Sequence, residues 1–297
     1  MRLVMLVAAL SLAATEANGA ELELRPPLAP ESERSVASDW LIGAPPVSPA
    51  PHYRLWLPTL LVGTAYLAVA VASDPPRRAR WSDENGFDDA IGDGVAGGSR
   101  GTRNAASAAS DAVLAVAGAG LAADHLIMRR HYAALASLGI DSTWILANQL
   151  ATEVAKNSAG RARPYVDPCR DDDEYVDECR SGRRDNASFY SGHASLAATF
   201  AGLLCARHMH RPERTWLDAA ACGGGVGAGI ATGLLRIAAE QHHATDVLAA
   251  WGSGALFGYA LPLVFDYGRA EPQAQVRHEL GPLLATRVVG LQYSLSF

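Results

Sequence analysis

The chain alternates long apolar stretches with shorter polar ones. Leu55 to Ser73 contains no charged residue over about the length a helix needs to cross a bilayer. An Ala-rich apolar pattern resumes from Asn104 to Met128, broken by Asp111 and Asp124 and closed by Arg129 and Arg130. Next, Trp144, Leu146, Leu150 and Val154 share a stretch with Asn148, Gln149 and Glu153 on its other side. This predicts an amphipathic helix, capped by Asp141 or Ser142 and ending at Lys156, with a polar face too rich for lipid. Ala194 to His208, Leu217 to Leu235 and Asp246 to Val264 are the remaining helical stretches. Glycines crowd the segment from Gly223 to Gly233, which predicts close helix packing there.

The stretches between carry other signals. Glu21 to His52 is rich in Pro, Glu, Ser and Ala and reads as a linker, while Trp81 to Arg103, full of Gly, Asp and Ser, reads as a loop. At the C-terminus Leu291, Tyr293, Leu295 and Phe297 alternate with Gln292, Ser294 and Ser296, the period of a half-buried strand. The predicted fold is therefore all-α, a membrane-embedded helical bundle with its site at helix ends on one face and a short C-terminal strand. Four parts are expected: an N-terminal signal peptide or anchor over 1–20, a Pro-rich linker over 21–52, a helical domain over 53–266 and a tail over 267–297.

Composition narrows the partners. With 297 residues and a net charge of -6, the chain lacks the basic excess that neutralises a nucleic-acid backbone. Arg2, the apolar run Leu3 to Ala14 and the small residues Ala17 to Ala20 form the three regions of an export signal. Of the four cysteines, Cys169 and Cys179 lie in a polar, acidic loop and form the candidate disulfide. Cys205 and Cys222, in apolar helical stretches, are expected to act as small core residues. That loop, with Asp167, Asp171 to Glu174, Asp177 and Glu178, is a solvated loop or a stapled lid, and its spacing does not fit an EF-hand.

Three strings carry chemistry. Lys156 is followed after six residues by Arg163 and Pro164, two cations that can clamp a phosphate just past a helix end. Ser191, Gly192 and His193 stand where a polar loop becomes an apolar helix, so free N–H groups and the positive helix end collect beside an imidazole. Arg236, His242 and Asp246 follow with five and three residues between them. A carboxylate one turn from His242 can fix its tautomer and leave the other nitrogen basic. Each string alone is commonplace: basic residues complement helix dipoles, and histidines cap helices. Their joint order at helix ends is what assembles one polar pocket.

Together the strings resemble the three signature motifs of the type-2 phosphatidic acid phosphatase and vanadium haloperoxidase superfamily, over roughly Leu135 to Leu263. The resemblance implies that Lys156, Arg163, Ser191, Gly192 and Arg236 hold phosphate oxygens. His242 would attack phosphorus, Asp246 would position it and His193 would protonate the leaving oxygen. It also implies no metal or other cofactor, a phosphorylated lipid or small phosphoester as substrate, and a site facing the periplasm or exterior. Tyr190 and Leu235 depart from the pattern, standing where Pro and Ser are usual, and His243 sits beside the expected nucleophile with no role implied. Alternatives of the same fold are a soluble periplasmic phosphomonoesterase and a vanadate-dependent haloperoxidase, and of another class, an inactive binding protein. Arg207, Arg211 and Arg214 are expected in a short loop on the inward side. Counting crossings from a cleaved signal, however, puts Lys156 on that same inward side, so topology stays open.

Overall fold

A computed structural model of the chain describes residues 52–82, 85–96, 98–127, 131–166, 184–210, 215–267, 277–285 and 288–296. The candidate cysteine pair Cys169 and Cys179, their acidic loop, the signal segment, Arg211 and Arg214 lie outside the described residues.

Seven α-helices are described: α1 (His52–Ala72), α2 (Gly86–Val95), α3 (Arg100–Ile127), α4 (His131–Ala159), α5 (Gly192–His208), α6 (Trp216–Ala238) and α7 (Ala244–Ala255). Helix α7 continues through π-helical turns at Leu256–Ala260 and Leu263–Tyr267. Strands β1 (Arg277–Ala285) and β2 (Val288–Ser296) pair antiparallel, so the expected C-terminal strand has a partner from the preceding segment.

Helix α5 is the centre of the bundle and packs against α3, α4, α6 and α7. Its side chains are small at the crossings, and Leu203 and Phe200 join Leu114 and Leu121 of α3 in one apolar cluster. The α5–α7 contact is closest: a Cβ on Gly254 would stand 2.4 Å from the Ala198 Cβ, and one on Gly258 2.4 Å from the Thr199 carbonyl oxygen. Within the glycine-dense part of α6, Gly225 and Gly229 face α5 and Gly233 faces Val247 and Trp251 of α7, as close packing requires, while Gly223, Gly224 and Gly227 have nothing nearby.

The structure differs from the sequence expectations in four places. First, the segment Trp81 to Arg103 contains helix α2. The Asn85 side chain accepts from the N–H groups of Phe87 and Asp88, both at 3.1 Å, and Ile91 and Val95, four apart, pack against the cluster that contains Ile237 and Val247. Its Gly and Asp content hides that short apolar face. Second, α4 does not begin at Asp141 or Ser142 but is already helical at His131. Asp141 serves the interior instead: it pairs with Arg207, meets His125 at 3.0 Å and accepts from the Tyr267 hydroxyl at 2.7 Å. Third, Arg207 is not a loop residue. It is buried in α5 between Asp124 and Asp141, beside His208, which bridges Asp124 at 3.1 Å and Asp218 at 2.7 Å. Such a network ties α3, α4, α5 and α6 together at the end of α5 remote from Gly192, where removal of one partner would strand buried charge. Fourth, Cys205 and Cys222 are bonded to each other as a disulfide joining α5 to α6.

Among the described residues, three helical segments are long and apolar enough to cross a membrane: Arg100–Leu126, Trp216–Ala238 and Ala244–Tyr267. Trp56–Ala72, within the run expected to cross first, is a shorter apolar helix. It lies along α4, where the Thr59 hydroxyl donates to the Gly139 carbonyl at 3.0 Å and Asn157 donates to Ser73 at 2.7 Å.

Candidate active site

Three chain segments reach the same end of the bundle: the C-terminus of α4 with the turn after it, the N-terminus of α5, and the α6–α7 connection. Lys156 sits in the last turn of α4, buried, with its ammonium 3.4 Å from Glu153. Gly160 turns the chain with φ of 58°, the left-handed region where a side chain is strained, and a Cβ there would also meet Pro76 at 2.9 Å. Arg161 and Arg163 follow.

Ser191 caps α5 by accepting from the Ala194 N–H at 3.4 Å, and its own N–H donates to the Asp246 carbonyl at 3.4 Å. A Cβ on Gly192 would stand 3.0 Å from Lys156 Nζ, so the second string touches the first directly. Gly192→Ala is therefore expected to push the ammonium aside, weakening one charge-assisted contact by about 1 kcal/mol and raising KM for a phosphoester about fivefold. Steady-state kinetics on the purified variant checks this, and an unchanged KM would count against Lys156 as a phosphate ligand.

Arg236 ends α6 buried, donating to Ser107 and Ser110 of α3 at 3.3 Å each. Arg163 donates to Gln241 in the α6–α7 connection. The buried Nε atoms of both arginines have no hydrogen-bond partner among the described residues, which leaves guanidinium donors for an anion. His193 meets Asp111 of α3 at 2.9 Å, and the same carboxylate lies 3.9 Å from Arg236. Burial first, then the Arg236 charge, push the His193 pKa down to about 4. A phosphate dianion between the cations would push it back up, as an acid catalyst needs.

His242 is 2 % exposed. Its Nδ1 lies 2.8 Å from the Ser188 carbonyl oxygen and 3.9 Å from Asp246 Oδ2. A carbonyl can only accept, so Nδ1 carries the proton and Nε2 the lone pair. This corrects the expected geometry: Asp246 does not bond His242 directly. Instead its carboxylate accepts from the Ser188 hydroxyl at 2.5 Å and the His243 N–H at 3.0 Å, fixing the residues on either side of the imidazole. Burial above all, with the charges of Arg163 and Arg236, holds the His242 pKa down to about 3, so the ring stays neutral at ordinary pH.

Residues 138–269 match the PAP2 superfamily. The match supports a phosphatase-type activity on phosphoesters. No solved structure matches the chain. The PAP2 region contains all three strings, yet several groups that hold them lie outside it: Asp88 on α2, and Ser107, Ser110 and Asp111 on α3.

Of the two departures from the family pattern, Tyr190 has a local explanation. The Tyr190 ring is buried, and its hydroxyl shares a 2.9 Å hydrogen bond with Ser253, so it anchors the loop before Ser191 to α7. His243 is turned away from the string: its Nε2 lies 3.1 Å from the Ala162 carbonyl. Sequence reasoning missed Asp88, Asp111, Arg161 and Ser188. For Arg161 a signal existed, since Arg161 and Arg163 alternate around Ala162 in an extended turn; the others belong to no recognisable spacing. A cavity of about 400 Å³ lies between α2 and the α6–α7 connection, lined by Asp89, Asp93, Glu240 and His242, so it shares His242 with the candidate site. Lys156, Arg163, His193 and Arg236 do not line it.

Proposed function

We propose that this protein is a metal-independent phosphatase that hydrolyses a lipid phosphate or pyrophosphate through a phosphohistidine on His242. The observation that carries this reading is the buried neutral His242, with Nδ1 committed to Ser188 and the cations Lys156, Arg163 and Arg236 gathered at the same bundle end. Nε2 attacks phosphorus and forms the P–N bond while the bond to the leaving oxygen breaks, and His193 gives that oxygen its proton. Water then attacks phosphorus, His193 takes up a proton, the P–N bond breaks and inorganic phosphate leaves. Lys156, Arg163, Arg236 and the α5 N-terminus at Ser191 and Gly192 offset charge on the transferring group throughout.

A lipid substrate is supported by the three helices able to cross a membrane, because the pocket lies at one end of the bundle they build. The domain limits fit the same reading, with the helical phosphatase domain over 53–266 and the cell envelope as its location. The test is phosphate release by detergent-purified protein in EDTA, from a diacylglycerol phosphate and from p-nitrophenyl phosphate. Release that survives EDTA, at kcat/KM at least tenfold higher on the lipid, is expected. Loss of all release on chelation would overturn the mechanism, and preference for the soluble ester would favour a phosphomonoesterase.

A further inference from the structure

We propose that Arg161 and Asp88 are positioning residues for His242, acting through a buried Asp88–Arg161–Asp246 triad that joins α2, the turn after α4 and the start of α7. The inference rests on the phosphohistidine reading above and names two residues that no family motif contributes.

Arg161 is 1 % exposed, and its guanidinium stacks 4.1 Å above the Trp81 ring. One arm, NH1, donates to Asp246 Oδ1 at 2.6 Å and to the Thr245 hydroxyl at 2.7 Å, while NH2 donates to Asp88 Oδ2 at 2.6 Å. Its main chain holds the same region, since the Arg161 carbonyl accepts from the Ser188 N–H at 3.0 Å. Ser188 is the residue whose carbonyl fixes the His242 tautomer, and its hydroxyl bonds the Asp246 carboxylate that Arg161 grips. Arg161 thus sets both Ser188 and Asp246. Asp88 completes the arrangement by accepting from the Thr245 N–H and hydroxyl, both at 2.8 Å, at the first turn of α7.

The charges also have a direction. Two carboxylates and one guanidinium leave the triad with a net charge of about -1 on the Nδ1 side of His242, opposite the cations expected to hold the phosphate. When Nε2 bonds phosphorus the ring becomes cationic, and this surplus negative charge stabilises it. A packing role alone would need the volume and hydrogen bonds of Asp88 but not its charge, and the two roles can be separated on that ground.

Asp88→Asn keeps shape and most hydrogen bonds while neutralising the triad. Arg161→Lys keeps the charge but cannot fork between two carboxylates. Rapid-quench measurement of phosphoenzyme formation from p-nitrophenyl phosphate, with kcat, KM and the pH profile, distinguishes the outcomes. For Asp88→Asn, phosphoenzyme formation is expected to slow about tenfold with KM within twofold. The acid limb of kcat is expected to move to lower pH, because one negative charge fewer stabilises the imidazolium less. Arg161→Lys is expected to lose about a hundredfold in the same step. Wild-type phosphorylation rate and an unmoved acid limb in Asp88→Asn, with only a lower melting temperature, overturn the triad as a positioning device. Absence of any phosphoenzyme in the wild type overturns the parent reading, and this inference with it.

Discussion

His242→Ala is expected to lower turnover of a phosphoester on the order of 10⁴-fold or more while leaving the protein folded. The size follows from the absence of a substitute. His243, next in the chain, directs its Nε2 to the Ala162 carbonyl and cannot reach the cationic pocket without giving up that bond. His193, on α5, pairs with Asp111 of α3 and is the group proposed to protonate the leaving oxygen. Folding should survive because the substitution strands only the Ser188 carbonyl, a loss of about 1–3 kcal/mol. Single-turnover kinetics and acid-labile label on the protein measure the effect, with His243→Ala as the partner variant. Turnover retained by the first and lost by the second would move the nucleophile to His243.

The second large effect concerns stability. Gly254→Val places a branched side chain where even a Cβ meets Ala198 at 2.4 Å and the Ser195 carbonyl at 2.6 Å, both on α5. Neither neighbour is the flexible end of a side chain, so the helices must part. Overpacking of this kind costs about 3 kcal/mol or more. Because α5 carries Ser191 and His193 and α7 carries Asp246, the displacement should also reduce activity. Thermal unfolding in detergent is expected to show a clear drop for Gly254→Val and almost none for Gly252→Ala, whose Cβ meets nothing within 4 Å. Equal melting temperatures for the two variants would show that the helices can separate freely.

Much of this architecture was legible in the sequence, and the reasons differ by element. Helices α5, α6 and α7 were readable because long apolar runs end at polar turns. Close packing of α6 was visible in its glycine density, though not which helices it meets. Helix α2 was not, since its burial uses only Ile91 and Val95 while Gly and Asp occupy the remaining positions. The start of α4 was misplaced because Asp141 has the composition of a cap and the location of a core ion pair. The cysteines were divided by the polarity of their surroundings, whereas bonding depends on which helices touch, and α5 meets α6 at Cys205 and Cys222. In the pocket, spacing named the groups proposed to face phosphate but not those that hold them. Asp111 and Ser110 reach the pocket from a distant helix, and His242 is fixed by a backbone carbonyl, which has no sequence signature at all.

Helix α2 and the first turns of α3 have a practical meaning for dissecting this protein. A fragment trimmed to the family-matched stretch would retain every signature residue and still lose Asp88, Ser107, Ser110 and Asp111. Arg161 would then face Asp246 without its second carboxylate, and Arg236 and His193 would lose their partners on α3. The transplantable unit of this pocket therefore starts no later than Trp81, on which Arg161 stacks, well ahead of residue 138, and homology boundaries would cut through it.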